Sequence, residues 1–278
     1  MSGNTDLDEC LQAALNIARK AGKIAREASF SIMKVETKAS SADLVTETDK
    51  QVEELILSEL KQKFPSHKFI GEECTAAGED CQLTNDPTWM VDPIDGTSNF
   101  VHGIPFSAVS IGLAVDKTPV VGVVYNFSLD QMFAARKGGG ATMNGAPIHV
   151  SKCTELTESL LLSEFGSNRP PELLKPKVDC LYELAVEPRP VHGIRMVGSA
   201  ALSMCMVASG SADAYFEYGI HCWDIAAGDV IVREAGGVTM FPTGDPLDVM
   251  RRGVLCAGTQ ELAAKLAPHI PKLEYERD

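Results

Sequence analysis

The chain has 278 residues, 45% of them hydrophobic and 23% charged, which gives enough apolar material for a large core and argues against disorder. Its formal net charge of −13, from 38 acidic against 25 basic residues, argues against an electrostatically driven nucleic-acid binder, since such proteins neutralise phosphates with basic patches. Eight scattered cysteines without a CxxC pair read as reduced thiols rather than a disulfide framework or zinc site, and no run approaches the roughly 18 apolar residues of a membrane span.

The opening MSGNTDLDEC has neither the basic region nor the apolar run of a leader, so a cytoplasmic protein without membrane attachment is expected. Leu11, Leu15, Ala18, Gly22 and Ala25 recur at helical spacing and predict an amphipathic helix over 7–29. A second helix is predicted from a capping box of Thr48 and Gln51, an apolar face of Val52, Leu55, Ile56 and Leu60, and the stop at Pro65. Short strand-like runs follow at 68–71, 88–91, 108–115 and 120–126, and Asn144-Gly145 signals a hairpin of the type I′ kind. Residues 1–150 thus read as a helix pair with a mainly antiparallel sheet.

From 151 to 278 strand and helix alternate. Strands are expected at 159–164, 195–198, 212–218, 238–241 and 253–257, with buried helices at 199–210 and 224–235, whereas 165–190, rich in Pro and charge, reads as loop. No repeat or linker divides the chain. The expectation is one α+β or α/β unit over 1–278 in which two sheets share a layered body with helices.

The chemistry concentrates in Trp89-Met-Val-Asp92-Pro93-Ile94-Asp95-Gly96-Thr97-Ser98-Asn-Phe100. Pro93 is expected to end the strand with Asp92 at its tip, and Gly96 to turn the chain before Thr97 or Ser98 caps a short helix. The N–H groups of that first turn, with the two hydroxyls, make a phosphate seat. Two carboxylates about 4 Å apart repel by roughly 4 kcal/mol at an effective dielectric near 20, and a phosphate dianion beside them makes matters worse. A divalent cation reverses each sign. An oxygen-only donor set points to Mg²⁺ ahead of Mn²⁺ and Zn²⁺. Glu72, after the strand at 68–71, and Asp224, at the start of a helix, are the further acids at strand ends. Each alone reads as a loop carboxylate or a cap, but together with Asp92 and Asp95 they suit a two-metal phosphate site.

Three segments, Gly71-Glu72-Glu73, the run from Asp92 to Pro105 and Trp223-Asp224 through Gly237, resemble the signatures of the inositol monophosphatase family, and the resemblance covers almost the whole chain. It is nearest to the animal cytosolic type, within the lithium-sensitive, magnesium-dependent phosphomonoesterases that include fructose-1,6-bisphosphatases. The resemblance implies an αβαβα sandwich, a homodimer, and Mg²⁺-dependent hydrolysis of inositol monophosphates by metal-activated water without a covalent intermediate. It also implies two to three Mg²⁺ per subunit and inhibition by Li⁺. By the same resemblance, Glu72, Asp92 and the Ile94 carbonyl hold a first ion, and Asp92, Asp95 and Asp224 a second. Glu72 and Thr97, backed by Asp49, activate water; Gly96, Thr97 and Ser98 hold phosphate; Asp95, Gly198, Ser199, Ala200, Glu217 and Asp224 meet the inositol hydroxyls. Lys38 lies in a loop that approaches the metals in that family, and Ser98 stands where threonine is commoner.

Other readings are less well supported by the residues. A haloacid-dehalogenase-type phosphatase needs one residue between its aspartates, and here Pro93 and Ile94 are two. A Mg²⁺-dependent sugar-phosphate scaffold would not need both Glu72 and Thr97. A phosphatase for related sugar phosphates or bisphosphates shares every motif. The glycines of 136–145 read as a hairpin, His102 and His221 as structural, and Met204, Cys205 and Met206 as core.

Overall fold

The structure, a computed structural model, describes residues 5–29, 35–37, 44–78, 81–188 and 190–278; Lys38 lies outside them. Helix α1 (Leu7–Ala28) starts at Asp6, whose carboxylate accepts the Asp8 and Glu9 amides, and it buries an alanine-rich stripe. A short ribbon of β1 (Val35–Thr37) and β2 (Leu44–Thr46) leads into α2 (Glu47–Lys63). The capping box of α2 is Thr46 with Asp49, not Thr48 with Gln51: Thr46 is the last extended residue, and its amide donates to Asp49 Oδ2 at 2.9 Å. The cap therefore falls two residues earlier than the expected pair, and it turns Asp49 inward.

Then follow β3 (Lys68–Gly71), α3 (Glu72–Ala76), β4 (Thr88–Asp95), α4 (Thr97–His102), β5 (Ala108–Val115), β6 (Thr118–Asn126), β7 (Gln131–Arg136), β8 (Ala141–Met143) and β9 (Ala146–Pro147). They build a seven-stranded sheet in chain order, parallel only between β3 and β4. Asn144 and Gly145 both take positive φ, 51° and 80°, as a type I′ turn requires. The later elements are β10 (Leu160–Ser163), α5 (Pro171–Ala185), β11 (Gly193–Arg195), α6 (Ala200–Ala208), β12 (Ala214–Tyr218), α7 (Cys222–Glu234), β13 (Val238–Met240), β14 (Gly253–Ala257) and α8 (Gln260–Leu266). Their sheet runs β11-β10-β12-β14-β13 and mixes parallel with antiparallel pairs.

Strand alternation sorts the side chains into layers. Val109, Ile111 and Leu113 of β5 face α1 and α2, whereas Ala108 and Ala114 face α6 and α7. In the second sheet Leu162 and Tyr215 point to the same α6/α7 layer, and Leu161 and Phe216 point away, toward α5 and α8. The order is helix, sheet, helix, sheet, helix, as expected.

Three expectations change. The segment 165–190 contains α5: Pro171 opens it at a position that needs no amide donor, Pro176 removes only one early bond, and Lys177, Cys180 and Leu184 are buried. The strand placed at 195–198 is 193–195, set by its parallel register with β10. Helix α7 begins at Cys222, so Asp224 is its third residue and not its cap.

The middle layer sits on a glycine pair. Gly112 and Gly122 face each other across β5 and β6, and α7 lies directly on them. A Cβ on Gly122 would strike the Ala227 carbonyl oxygen and lie 2.9 Å from its carbon. Gly122→Ala is accordingly expected to destabilise the fold by about 1–3 kcal/mol through overpacking. Chemical denaturation measures this; an unchanged midpoint would contradict such tight seating.

Candidate active site

Five segments bring acids to one cavity of about 660 Å³, and three of them, α3, β4 and α7, hold Glu72, Asp92, Asp95 and Asp224. Strand β4 does not stop at Pro93. It continues to Asp95, and its pairing with β5 slips between Asp92 and Asp95. In a regular strand, residues three apart point to opposite faces, so the irregularity is what lets both carboxylates enter one site. Asp224 arrives from the first turn of α7. Oxygens of Asp92, Asp95 and Asp224 all lie within 4.8 Å of one another, and all three residues are buried. Glu72, first residue of α3, lines the same cavity just outside this tight triplet.

Backbone amides hold these acids in place. Ile94 N–H donates to Asp92 Oδ1 at 2.9 Å, Ala201 N–H to Asp95 Oδ2 at 2.8 Å, and His221 N–H to Asp224 Oδ2 at 2.7 Å. Ser199 Oγ also donates to Asp95 Oδ2. Burial, followed by the fields of Glu72, Asp95 and Asp224, pushes the Asp92 carboxyl well above its usual range. Burial likewise raises Asp224, with the charge of Asp95 adding to it, and takes Asp95 to about 6 against the pull of its donors. Arg169 is the one lysine or arginine lining the cavity among the described residues. The cluster is thus an excess of negative charge with oxygen donors only, and it fits a hard divalent cation.

Next to the triplet, Gly96 holds φ 85°, where a side chain would meet the Gly198 and Phe106 carbonyls within 3 Å. Gly96 is itself the cap of α4, one or two residues before the expected Thr97 or Ser98, which are instead its first two residues. Thr97 Oγ lies 3.0 Å from the Ile94 carbonyl and 3.3 Å from Asp49 Oδ1. Gly198, Ser199, Ala200 and Glu217 line the cavity as well, the first two directly against Gly96 and the last buried and accepting from Tyr215 OH. Every expected site residue inside the described range is therefore in the cavity wall, except Asp49, which reaches it through Thr97.

Several neighbours went unnoticed in the sequence. Asn99 donates to the Phe106 and Val197 carbonyls, tying the central motif to the 197–200 segment. Glu164 lines the cavity and accepts from Gly198 N–H, and Ser167 and Arg169 complete that wall. Asn99 had a signal, its place inside the motif; Ser167 and Arg169 sit in the stretch read as loop, and Glu164 ends the run expected as a strand at 159–164. His221 lines the cavity with both ring nitrogens engaged, by Asp278 and Arg252, and it stacks on Trp223, in keeping with a structural role; His102 is outside the wall. The glycines at 138 and 140 donate to the Glu234 carboxylate and seat no phosphate.

The comparisons agree with this geometry. The model of the inositol monophosphatase family matches residues 6–275. Inositol monophosphatase 1 of Homo sapiens is 50% identical over 270 residues, 97% of each chain, and inositol monophosphatase 2 of Mus musculus is 47% identical over 271 residues, 98% of this chain and 93% of the mouse protein. The solved inositol monophosphatase from Anabaena (Nostoc) sp. PCC 7120 is similar with a TM-score of 0.82 at 32% identity, over 96% of this chain and 98% of that one. With a match that runs nearly end to end and a buried acidic triplet at its centre, the chain belongs to the inositol monophosphatase family.

Proposed function

We propose that the chain hydrolyses myo-inositol monophosphates to inositol and phosphate in a Mg²⁺-dependent reaction without a covalent intermediate. The observation that carries this reading is the convergence of Asp92, Asp95 and Asp224 within 4.8 Å, beside Glu72 and a Thr97 hydroxyl aligned by Asp49. The names of the human and mouse relatives supply the substrate class.

Glu72, Asp92 and the Ile94 carbonyl would hold one Mg²⁺, and Asp92, Asp95 and Asp224 a second, with two to three ions per subunit in all. When bound, such ions neutralise phosphate charge and lower the pKa of water. The protein's own groups do the rest. Glu72 and Thr97 orient the attacking water and accept its proton, and Asp49 fixes the hydroxyl. The amides at Gly96, Thr97 and Ser98, at the start of α4, hold the phosphate oxygens. Asp95, Gly198, Ser199, Ala200, Glu217 and Asp224 hold the inositol hydroxyls, and this wall sets how far related sugar phosphates are accepted. The same reading takes residues 1–278 as one catalytic unit in a cytoplasmic homodimer, inhibited by Li⁺ and binding neither nucleic acid nor membrane. No described helix is long and apolar enough to cross a membrane, and the net charge of −13 disfavours nucleic acid.

Burial and the nearby Glu164 raise the Glu217 carboxyl from 4.5 to about 8, while the Tyr215 hydroxyl and Lys177 pull it back. A raised acid binds its proton in the folded state and loses it on unfolding in neutral solution. Its contribution to stability is therefore full below about pH 4.5 and is lost as the pH rises through about 8.

A phosphate-release assay over inositol and sugar monophosphates, with and without Mg²⁺, tests the reading; turnover that ignores Mg²⁺ would refute it. Asp92→Asn is expected to lower kcat by ~10³-fold or more, since several kcal/mol of transition-state stabilisation goes with the metal; near-normal turnover would remove the metal assignment. Glu217→Gln should weaken discrimination for inositol phosphates, and in metal-free protein its Tm should fall less between pH 5 and 8 than that of the wild type. Parallel melting curves across that range would contradict the raised carboxyl.

A further inference from the structure

We propose that Lys177, which does not line the cavity, is a positioning residue that sets specificity for the polyol end of the substrate by locking together the two loops behind Glu217. The proposal rests on the phosphatase reading above and deepens it.

Lys177 comes from α5 and is only 7% exposed. Its Nζ donates to the Phe165 carbonyl at 2.8 Å and to the Tyr218 carbonyl at 3.1 Å. These two carbonyls belong to the segments that form one side of the cavity, 164–169 and 217–220, which no strand pairing joins at this point. Between them, Gly166 takes φ 75°. A Cβ at Gly166 would lie 3.5 Å from Lys177 Nζ and 3.7 Å from Glu217 Oε1, so the ammonium and the carboxylate flank the same turn. The Tyr275 ring covers the ammonium at 5.6 Å.

A buried ammonium is costly unless its donors are satisfied. The neighbouring buried residues on α5, Cys180 and Leu184, show that this helix face packs well with apolar side chains. Lys177 is thus dispensable for packing as such, and what it adds is a two-point tie between cavity loops, together with a positive field that opposes proton uptake by Glu217. The phosphate end is assigned to Gly96, Thr97 and Ser98 after β4, and the Lys177 ammonium bonds to neither β4 nor α4. Loss of the tie therefore acts on the polyol contacts and not on the phosphate contacts.

The test compares inositol 1-phosphate with phenyl phosphate, whose ring has no hydroxyls, as substrates of the full chain in Mg²⁺. For Lys177→Met, kcat/KM on inositol 1-phosphate should drop ~tenfold, mainly through KM, with less than about a twofold change on phenyl phosphate. Lys177→Gln, which keeps one donor group, should fall between, and it decides the matter if the Met variant does not fold. Leu184→Ala, a cavity-forming change on the same helix, should lower Tm and leave the ratio of the two substrates alone. An unchanged ratio in both Lys177 variants, or an equal shift in Leu184→Ala, would overturn the proposal. Wild-type protein that hydrolyses neither ester would overturn the functional reading itself, and the proposal with it.

Discussion

The structure is organised around keeping carboxylates close together in a buried place without cancelling their charge. A guanidinium inserted among Asp92, Asp95 and Asp224 would satisfy them, and it would also occupy the space a cation needs. The chain instead uses neutral donors: the amides of Ile94, Ala201 and His221 each fix one aspartate and leave its charge intact. Glu72 receives the same treatment at one remove. The buried Glu53 carboxylate accepts the Glu73 and Cys74 amides at the start of α3 and so anchors the turn that presents Glu72, while Gly71 has no side chain because Glu53 lies against it.

Holding like charges together requires stiff supports, and the layers provide them. Asp224 is placed by α7, which lies between the two sheets on the bare backbones of Gly112 and Gly122. Asp92 and Asp95 are placed by a slip in β4, whose flanking residues are fully buried. The acids thus belong to the most tightly packed part of the molecule, where repulsion cannot relax by a loop moving aside.

Much of this was legible in the residues, and the reasons for the exceptions are physical. Strands β3 and β5 match their expected limits because their apolar runs are bounded by turn residues, and the central motif announced its aspartates by their spacing. Helix α5 was hidden because Pro171, Pro176 and several charges look like loop chemistry when burial on one face is unknown. The caps of α2 and α7 were misplaced by two or three residues, since Thr46 and His221 became caps only through the carboxylates that fold back on them. Glu164 and Arg169 could not be found from local pattern at all. They reach the cavity only because the segment after β10 folds against the 197–200 turn, a contact between distant parts of the chain.

The imbalance of six acids against one arginine among the described residues of the cavity wall also governs how a ligand gets in. A bare phosphate dianion diffusing toward that opening climbs a repulsive potential, whereas a cation slides down it. Arrival is thereby ordered by the field alone: positive species enter first or escort the anion, and an ester travelling without one spends most of its collisions being turned away.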